Sequence, residues 1–371
     1  MKAIQISNYV KSYSDLRVTE IPSPTPTADQ ILVTITHSAL NHVDLLYARG
    51  LHQNNHSGLV SPPFVLGLEF AGVVAAVPVP AVPATASASR SSFSSPSSGC
   101  ECEFKVGDHV WGSAVGGFAE QIAVAPSALH KLPGSGSGSW TLRDVAGLGA
   151  ATAPVSYAAL VRVAQVKAGQ TVLVHAAAGG LGVVAVQIAV ALGARVIGTV
   201  GSEEKAQVVR KLPGVLGVVR YDKDEQWERE VLKICGGGGV DVVYDTVGLV
   251  EKSIRCLKFG GSVVIAGFAG LSGSGGKMET LAMNRVLLKG AKLLGYRYGE
   301  TGRRRPEENE EVWKGLTAML ESGKIKPVIY GTYTGLESVP KALEDLAARK
   351  VWGKAVVEIK SPPAPKMSAK L

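Results

Sequence analysis

Apolar runs of five to eight residues recur through the middle of the chain, each followed by a segment with helical spacing. The runs Thr171–His175, Ala194–Thr199, Val215–Arg220, Val240–Asp245 and Gly261–Phe268 are rich in β-branched residues, as strands buried on both faces should be. Their regular alternation with helical segments predicts a doubly wound parallel sheet over residues 151–290. The flanks read differently. Residues 1–77 carry short alternating segments at Lys2–Ile6, Gln30–Ser38 and Glu69–Val77, with Pro22, Pro24 and Pro26 between the first two, and the strand–turn pattern resumes at FKVGDHVWG and GGFAEQIAV. Beyond residue 290, Pro306 and a run of glutamates open a helix (PEENEEVWKGLTAMLESGK) with proline in the first turn and acids near its positive end. A short helix and the strand GKAVVEI follow. The expectation is an α/β protein whose β-rich domain, residues 1–150 and 291–371, is interrupted by the parallel-sheet domain at 151–290.

Three stretches fall outside this pattern. Residues 78–103 are dominated by Ser, Ala and Pro, too poor in large apolar groups to offset the entropy of ordering, and predict a flexible surface insertion. GSGSGS at 134–139 reads equally as a linker or a loop tip, and residues 361–371 form a Pro-containing tail.

The stretch TVLVHAAAGGLG, residues 171–182, carries the most specific chemistry. An apolar strand runs into Gly179, Gly180 and Gly182, and the helix VVAVQIAVALG starts at once. Glycines there allow close approach of backbone to a ligand, while the helix start directs unpaired N–H groups at a pyrophosphate. Strand, turn, helix and second strand fit one dinucleotide-binding unit of about 30 residues. At the tip of the second strand, NAD sites place an acid against the ribose 2′-hydroxyl. Here the sequence is GTVGSEEK, so Ser202 and Lys205 stand where a 2′-phosphate would be attracted, with Tyr221 opening the next loop; the expected cofactor is NADPH. Ser202 also reads as a helix N-cap and Lys205 as a solvated helix residue, and Glu203 and Glu204 temper the positive charge.

Composition narrows the field. A chain of 371 residues with 46% hydrophobic content can bury the cores of two domains. No apolar run reaches the length of a membrane span, and the N-terminus has neither signal-peptide nor transit-peptide composition. Cys100, Cys102, Cys235 and Cys256 have no framework spacing and suit a reducing compartment. The net charge of +8 is densest at Arg303–Arg305, a triplet without the interleaved aromatics of an RNA-binding surface, so no nucleic acid is expected as the main partner.

Five motifs now identify the chain as similar to the medium-chain dehydrogenase/reductase superfamily, and within it to the zinc-independent quinone oxidoreductases: NHVDLLYARG (41–50), VLGLEFAGVV (65–74), VGDHVWG (106–112), GAATAPVSYAAL (149–160) and AAAGGLG (176–182). The resemblance implies a GroES-like β-rich catalytic domain joined to a Rossmann domain. Zinc-bearing members carry a Cys near position 41 and a Gly-His-Glu motif near 67; this chain has Asn41 and Leu68, leaving only Glu69. An apolar side chain cannot ligate zinc, and Cys100 and Cys102 lack the two partners of a structural site. No metal is expected. Without a Lewis acid, the substrate must accept hydride readily, as quinones and conjugated enones do. The resemblance places Asn41 and Thr152 near the nicotinamide, Gly179, Gly180 and Leu181 under the pyrophosphate, Ser202, Lys205 and Tyr221 around the 2′-phosphate, Val247 and Phe268 at the nicotinamide end, and Arg349 on the cofactor. Arg349 reads as readily as a surface helix charge, Asn41 as a turn residue, and Asp44 as an acid opening a helix. Asn41, Tyr47 and His52 are the candidates for a catalytic contact, with Tyr296 and Arg297 beside the substrate cleft and no firm acid or base among them.

The resemblance further implies a homodimer. Two other functions remain open: an enoyl-thioester (2-enoyl-CoA) reductase, and an NADPH-binding sensor or RNA-binding protein with little catalysis. Ala369-Lys370-Leu371 resembles the Ser-Lys-Leu class of peroxisomal address, so the expectation is a peroxisomal protein recognised by the import receptor, with the cytoplasm as the alternative.

Overall fold

Six parallel strands form the central sheet of the computed structural model, in the order Val215–Arg220, Arg195–Val200, Thr171–Val174, Val240–Asp245, Leu257–Ile265 and Lys292–Gly295. This three-two-one-four-five-six order is the doubly wound dinucleotide-binding arrangement, with its switch point between the strands that open at Thr171 and Val240. The sheet is apolar on both faces. Val172, Val174, Val196, Val242 and Tyr244 point into one core, while Leu173, Ile197, Val243 and Val263 point into another. That two-sided burial is why these strands read as continuous apolar runs rather than alternating ones.

Two details differ from the sequence reading. The fifth strand starts at Leu257 and ends at Ile265, earlier than Gly261–Phe268. A sixth strand, Lys292–Gly295, continues the sheet past residue 290. Four residues with only two apolar side chains are too weak a signal to announce a strand; backbone pairing to Ser262–Ile265 forms it.

The second sheet runs Ile329–Thr334, Lys354–Glu358, Ile31–Ala39, Glu69–Ala76, His109–Ser113 and Leu129–Lys131, with Gln121–Val124 also paired to Ile31–Ala39. The C-terminal strand thus completes an N-terminal sheet, Val356 opposite Ala39. A smaller sheet of Val18–Glu20, Lys2–Ile6 and Phe64–Val65 flanks it. The two main sheets meet where Gly353 N–H donates to the Ala178 carbonyl at 2.7 Å, and Gly179 and Gly353 form an isolated parallel bridge. The expected helix is Pro306–Glu321, proline in its first turn, and it packs on the helix Ala153–Tyr157.

The structure describes residues 1–78, 103–134, 140–270 and 279–359. The expected insertion at 78–103 with Cys100 and Cys102, its two end residues excepted, nearly all of GSGSGS, and the tail with Ala369-Lys370-Leu371 lie outside the described residues. Among the described residues, no single helix is long and apolar enough to cross a membrane.

Candidate active site

The glycine turn is tight for a stated reason. A Cβ on Gly182 would stand 2.2 Å from the Ala176 carbonyl oxygen, and Ala176 itself holds a left-handed φ of 47°. Gly179 caps the helix Gly180–Ala191, whose free N–H groups face the open end of the turn. Thr171–Val174 delivers this turn to the carboxyl edge of the sheet, the edge that binds ligands in doubly wound folds.

A cleft of about 250 Å³ opens there, and Asn41, His42, Leu68, Thr152, Gly180, Leu181 and Lys354 are among the residues that line it. Asn41, Thr152, Gly180 and Leu181, expected at the cofactor from separate motifs, share this one wall. The floor is polar and closed. Lys354 Nζ donates to Glu69 Oε2 at 2.6 Å, to Asn41 Oδ1 at 2.7 Å and to Thr152 Oγ1 at 3.2 Å. Asn41 Nδ2 donates to Glu69 Oε2 at 2.8 Å; Glu69 Oε1 accepts from Thr152 Oγ1 at 2.9 Å and from the Ala151 N–H at 2.7 Å. The Glu69 and Lys354 side chains are 1% and 3% exposed.

Among the described residues, two buried polar atoms near this floor have no hydrogen-bond partner. One is His42 Nε2; burial, reinforced by the Arg349 charge, holds that imidazole below its ordinary pKa and therefore neutral. The other is Asp44 Oδ1. Asp44 caps its helix by accepting from the Asn41 N–H at 2.7 Å, and burial pushes its carboxyl up to about 7.

The expected 2′-phosphate residues also converge. Ser202 caps the helix Glu203–Arg210 by accepting from the Lys205 N–H at 3.3 Å, so its N-cap reading and its place at the strand tip hold together. Lys205 Nζ donates to the Arg349 carbonyl at 2.7 Å, and Tyr221 packs within 3.0 Å of where a Cβ on Gly201 would sit. Arg349 reaches the Gly270 carbonyl at 3.5 Å, which brings it to the Val247 loop. That loop is held by Asp245, whose buried carboxylate accepts from the N–H groups of Val247, Gly248 and Leu249 at 2.8, 2.9 and 2.7 Å. Phe268 lies against Gly248 and is 43% exposed.

The catalytic candidates sit apart from the floor, Asn41 excepted. Tyr47 and His52 pack with ring centroids 4.3 Å apart. The Tyr47 hydroxyl accepts from Asn54 Nδ2 at 2.8 Å, and His52 Nδ1 accepts from the Asn54 N–H at 3.1 Å. Burial lowers the His52 pKa, with Arg297 adding to the effect. Tyr296 and Arg297 follow the edge strand Lys292–Gly295.

Glu69, Lys354, His42 and Asp245 were not picked out as working residues by sequence reasoning. Lys354 left one faint signal, a cation opening the otherwise apolar strand KAVVE. Asp245 left another, an acid closing a strand whose other residues, Asp241 apart, are Val and Tyr.

Residues 27–134 match the alcohol dehydrogenase GroES-like domain, and residues 180–318 match the family described as zinc-binding dehydrogenase. The chain is 30% identical to the quinone oxidoreductase of Lama guanicoe, over 97% of this chain and 98% of the relative. It is 28% identical to the acryloyl-coenzyme A reductase of Sulfurisphaera tokodaii, over 96% and 100%. Among solved structures, a mycobacterial protein complexed with NADPH superposes with a TM-score of 0.78 at 28% identity, over 96% of this chain and 99% of the other.

The residues here do not fit the metal that the second family description names. Leu68 offers no donor, both Glu69 oxygens are engaged, and the Lys354 ammonium would repel a dication beside them. The chain belongs to the medium-chain dehydrogenase/reductase superfamily, in its zinc-independent, quinone-reductase-like branch.

Proposed function

We propose that the protein reduces quinones or conjugated enones with NADPH, by hydride transfer and without a metal. The observation that carries this reading is the cleft in which Asn41, Thr152, Gly180 and Leu181 meet beside a turn that leaves no room for a Cβ at Gly182. Gly179, Gly180 and Leu181 would hold the pyrophosphate, Ser202, Lys205, Tyr221 and Arg349 the 2′-phosphate, and Val247 and Phe268 the nicotinamide end. NADPH supplies the hydride when bound. The chain contributes orientation: a floor with every donor engaged holds two reactants in near-attack geometry, which is worth up to about 7–11 kcal/mol of barrier. Tyr47 and His52 would then border the acceptor, with the Tyr47 oxygen and His52 Nδ1 each accepting from Asn54.

Steady-state NADPH oxidation with 1,2- and 1,4-quinones, enones and 2-enoyl-CoA tests the reading. Turnover of a quinone or enone is expected. Micromolar NADPH binding with no turnover of any acceptor would overturn it in favour of a sensor or RNA-binding role.

Reduction of a 2-enoyl-CoA is favoured by one further observation. The charges of Arg297 and Arg303 act on Tyr47, and that of Arg297 on His52, so a rim of two arginines sharing the Glu300 carboxylate borders these candidate substrate residues. Such a rim suits the phosphates of coenzyme A. A lower KM for a 2-enoyl-CoA than for its N-acetylcysteamine thioester, abolished by Arg297→Ala, would support this substrate; equal KM values would exclude it.

A homodimer formed through the edge of the parallel sheet completes the reading. Met283, Leu287 and Leu288 on the helix Met283–Lys289, with Phe259, are 67–82% exposed beside the edge strand Lys292–Gly295. An apolar face of this kind beside an unpaired edge calls for a partner.

A further inference from the structure

Zinc-bearing members of the superfamily have ligands at the positions of Asn41 and Leu68. In this chain a fixed ammonium stands 2.7 Å from Asn41 Oδ1 and 2.6 Å from the carboxylate of Glu69, the residue after Leu68. We propose that Lys354 is the positioning residue of the hydride-transfer site, a protein-borne cation that locks Asn41 and Thr152 into the orientation the bound nicotinamide meets. The assignment rests on the reductase reading above.

The bonding pattern says what the ammonium can and cannot do. It has three N–H donors and three protein acceptors, Asn41 Oδ1, Glu69 Oε2 and Thr152 Oγ1. Nothing is left to donate to a ligand, so Lys354 is neither an acid nor an electrophile for the substrate. It instead removes ambiguity from its neighbours. An amide can flip end for end, but Lys354 only donates and ionised Glu69 only accepts, so Asn41 must turn Oδ1 to the one and Nδ2 to the other. Thr152 accepts from Lys354, which sends its own proton to Glu69 Oε1 or Asn41 Oδ1, at 2.9 and 3.2 Å.

The same residue ties this floor to the nucleotide turn. A Cβ on Gly180 would stand 2.9 Å from Lys354 Cδ, and the neighbouring Gly353 N–H bonds Ala178. Motion of the Lys354 stem would therefore move the pyrophosphate turn and the cleft floor together. Stability alone does not account for the pair. Two ions 1% and 3% exposed cost more to desolvate than well-packed apolar residues of the same size.

The test compares wild type with the paired variant Glu69→Gln/Lys354→Met, which removes both charges and leaves no lone buried ion. Thr152→Val, an isosteric change, opens one of the three ammonium bonds and serves where the pair variant fails to fold. Each is measured for NADPH Kd by fluorescence, for kcat at saturating acceptor, and for the isotope effect with NADPH deuterated at the transferred position. The expected result is kcat lower by tenfold or more in the pair variant and threefold or more in Thr152→Val. NADPH Kd should stay within threefold and the isotope effect should rise as hydride transfer becomes limiting. Folded variants that keep kcat within twofold of wild type would overturn the assignment, as would loss of NADPH binding in parallel with kcat. Wild-type protein that binds NADPH but reduces no acceptor would instead defeat the reductase reading itself, and this assignment with it.

Discussion

Lys205 Nζ donates to the backbone carbonyl of Arg349 at 2.7 Å, joining residues 144 positions apart. Arg349 holds a left-handed φ of 58°, uncommon for a residue with a side chain, and this conformation turns its carbonyl toward Lys205. The ammonium is partly desolvated, which together with the Arg349 charge lowers its pKa. A phosphate arriving between Lys205 and Arg349 would offset both effects with its negative charge.

Cofactor preference follows from that pair. Lys205→Ala should weaken NADPH binding by about 10- to 100-fold, as expected for losing a charged hydrogen bond of roughly 1.5–3 kcal/mol, and leave NADH binding within about twofold. Fluorescence titration with the two nucleotides checks this, and equal losses would remove Lys205 from the 2′-phosphate site.

Stability should fall as pH rises through the carboxyl of Asp44. Burial raises this group from 3.8 to about 7, so between those values the folded protein holds a proton that the unfolded chain has released. Unfolding then takes up no proton at low pH and releases one at intermediate pH, so stability declines from about pH 4 to about pH 7 at up to about 1.4 kcal/mol per unit. Asp44→Asn keeps an oxygen for the Asn41 N–H and should flatten this slope. Denaturant melts at pH 5 and pH 8 should show the variant gaining on wild type more at pH 8 than at pH 5.

Gly182→Ala should be costly out of proportion to one methyl group. The added carbon would stand 2.2 Å from a backbone carbonyl that cannot swing aside. A loss of about 1–3 kcal/mol is expected, along with NADPH affinity. Gly236→Ala, with nothing within 4 Å, isolates the cost of a positive φ alone and should leave NADPH affinity unchanged.

Assembly is testable on the exposed helix. Leu287→Glu/Leu288→Glu replaces side chains 80% and 73% exposed and should leave the monomer fold intact. Sedimentation velocity should show wild type at twice the monomer mass and the variant at monomer mass. Monomeric wild type would end the dimer proposal.

The parallel sheet was legible because its signal is local. Thr171–Val174 is β-branched or apolar at every position and buried at every position, and the glycine turn follows it closely in the chain. The places of Ser202 and Tyr221 in the chain follow from the same kind of signal, each just beyond a strand that announces itself, with Lys205 in the helix that Ser202 caps. Lys292–Gly295 was not: its register comes from Leu257–Ile265, and no pattern of its own specifies a strand. The polar floor was only half legible. Asn41, Glu69 and Thr152 lie in recognisable motifs, but Lys354, which joins them, is 285 residues from Glu69.

By itself the sequence determined the class of fold, the place of the nucleotide turn and the poverty of metal ligands, because strand composition, glycine spacing and side-chain donor chemistry are properties of short segments. Tertiary structure alone decided that Lys354 is a buried ion rather than a solvated one, that Asp44 holds its proton near neutrality, and that Lys205 and Arg349 meet. Those are matters of desolvation and charge proximity, and both depend on which distant segments close over a side chain.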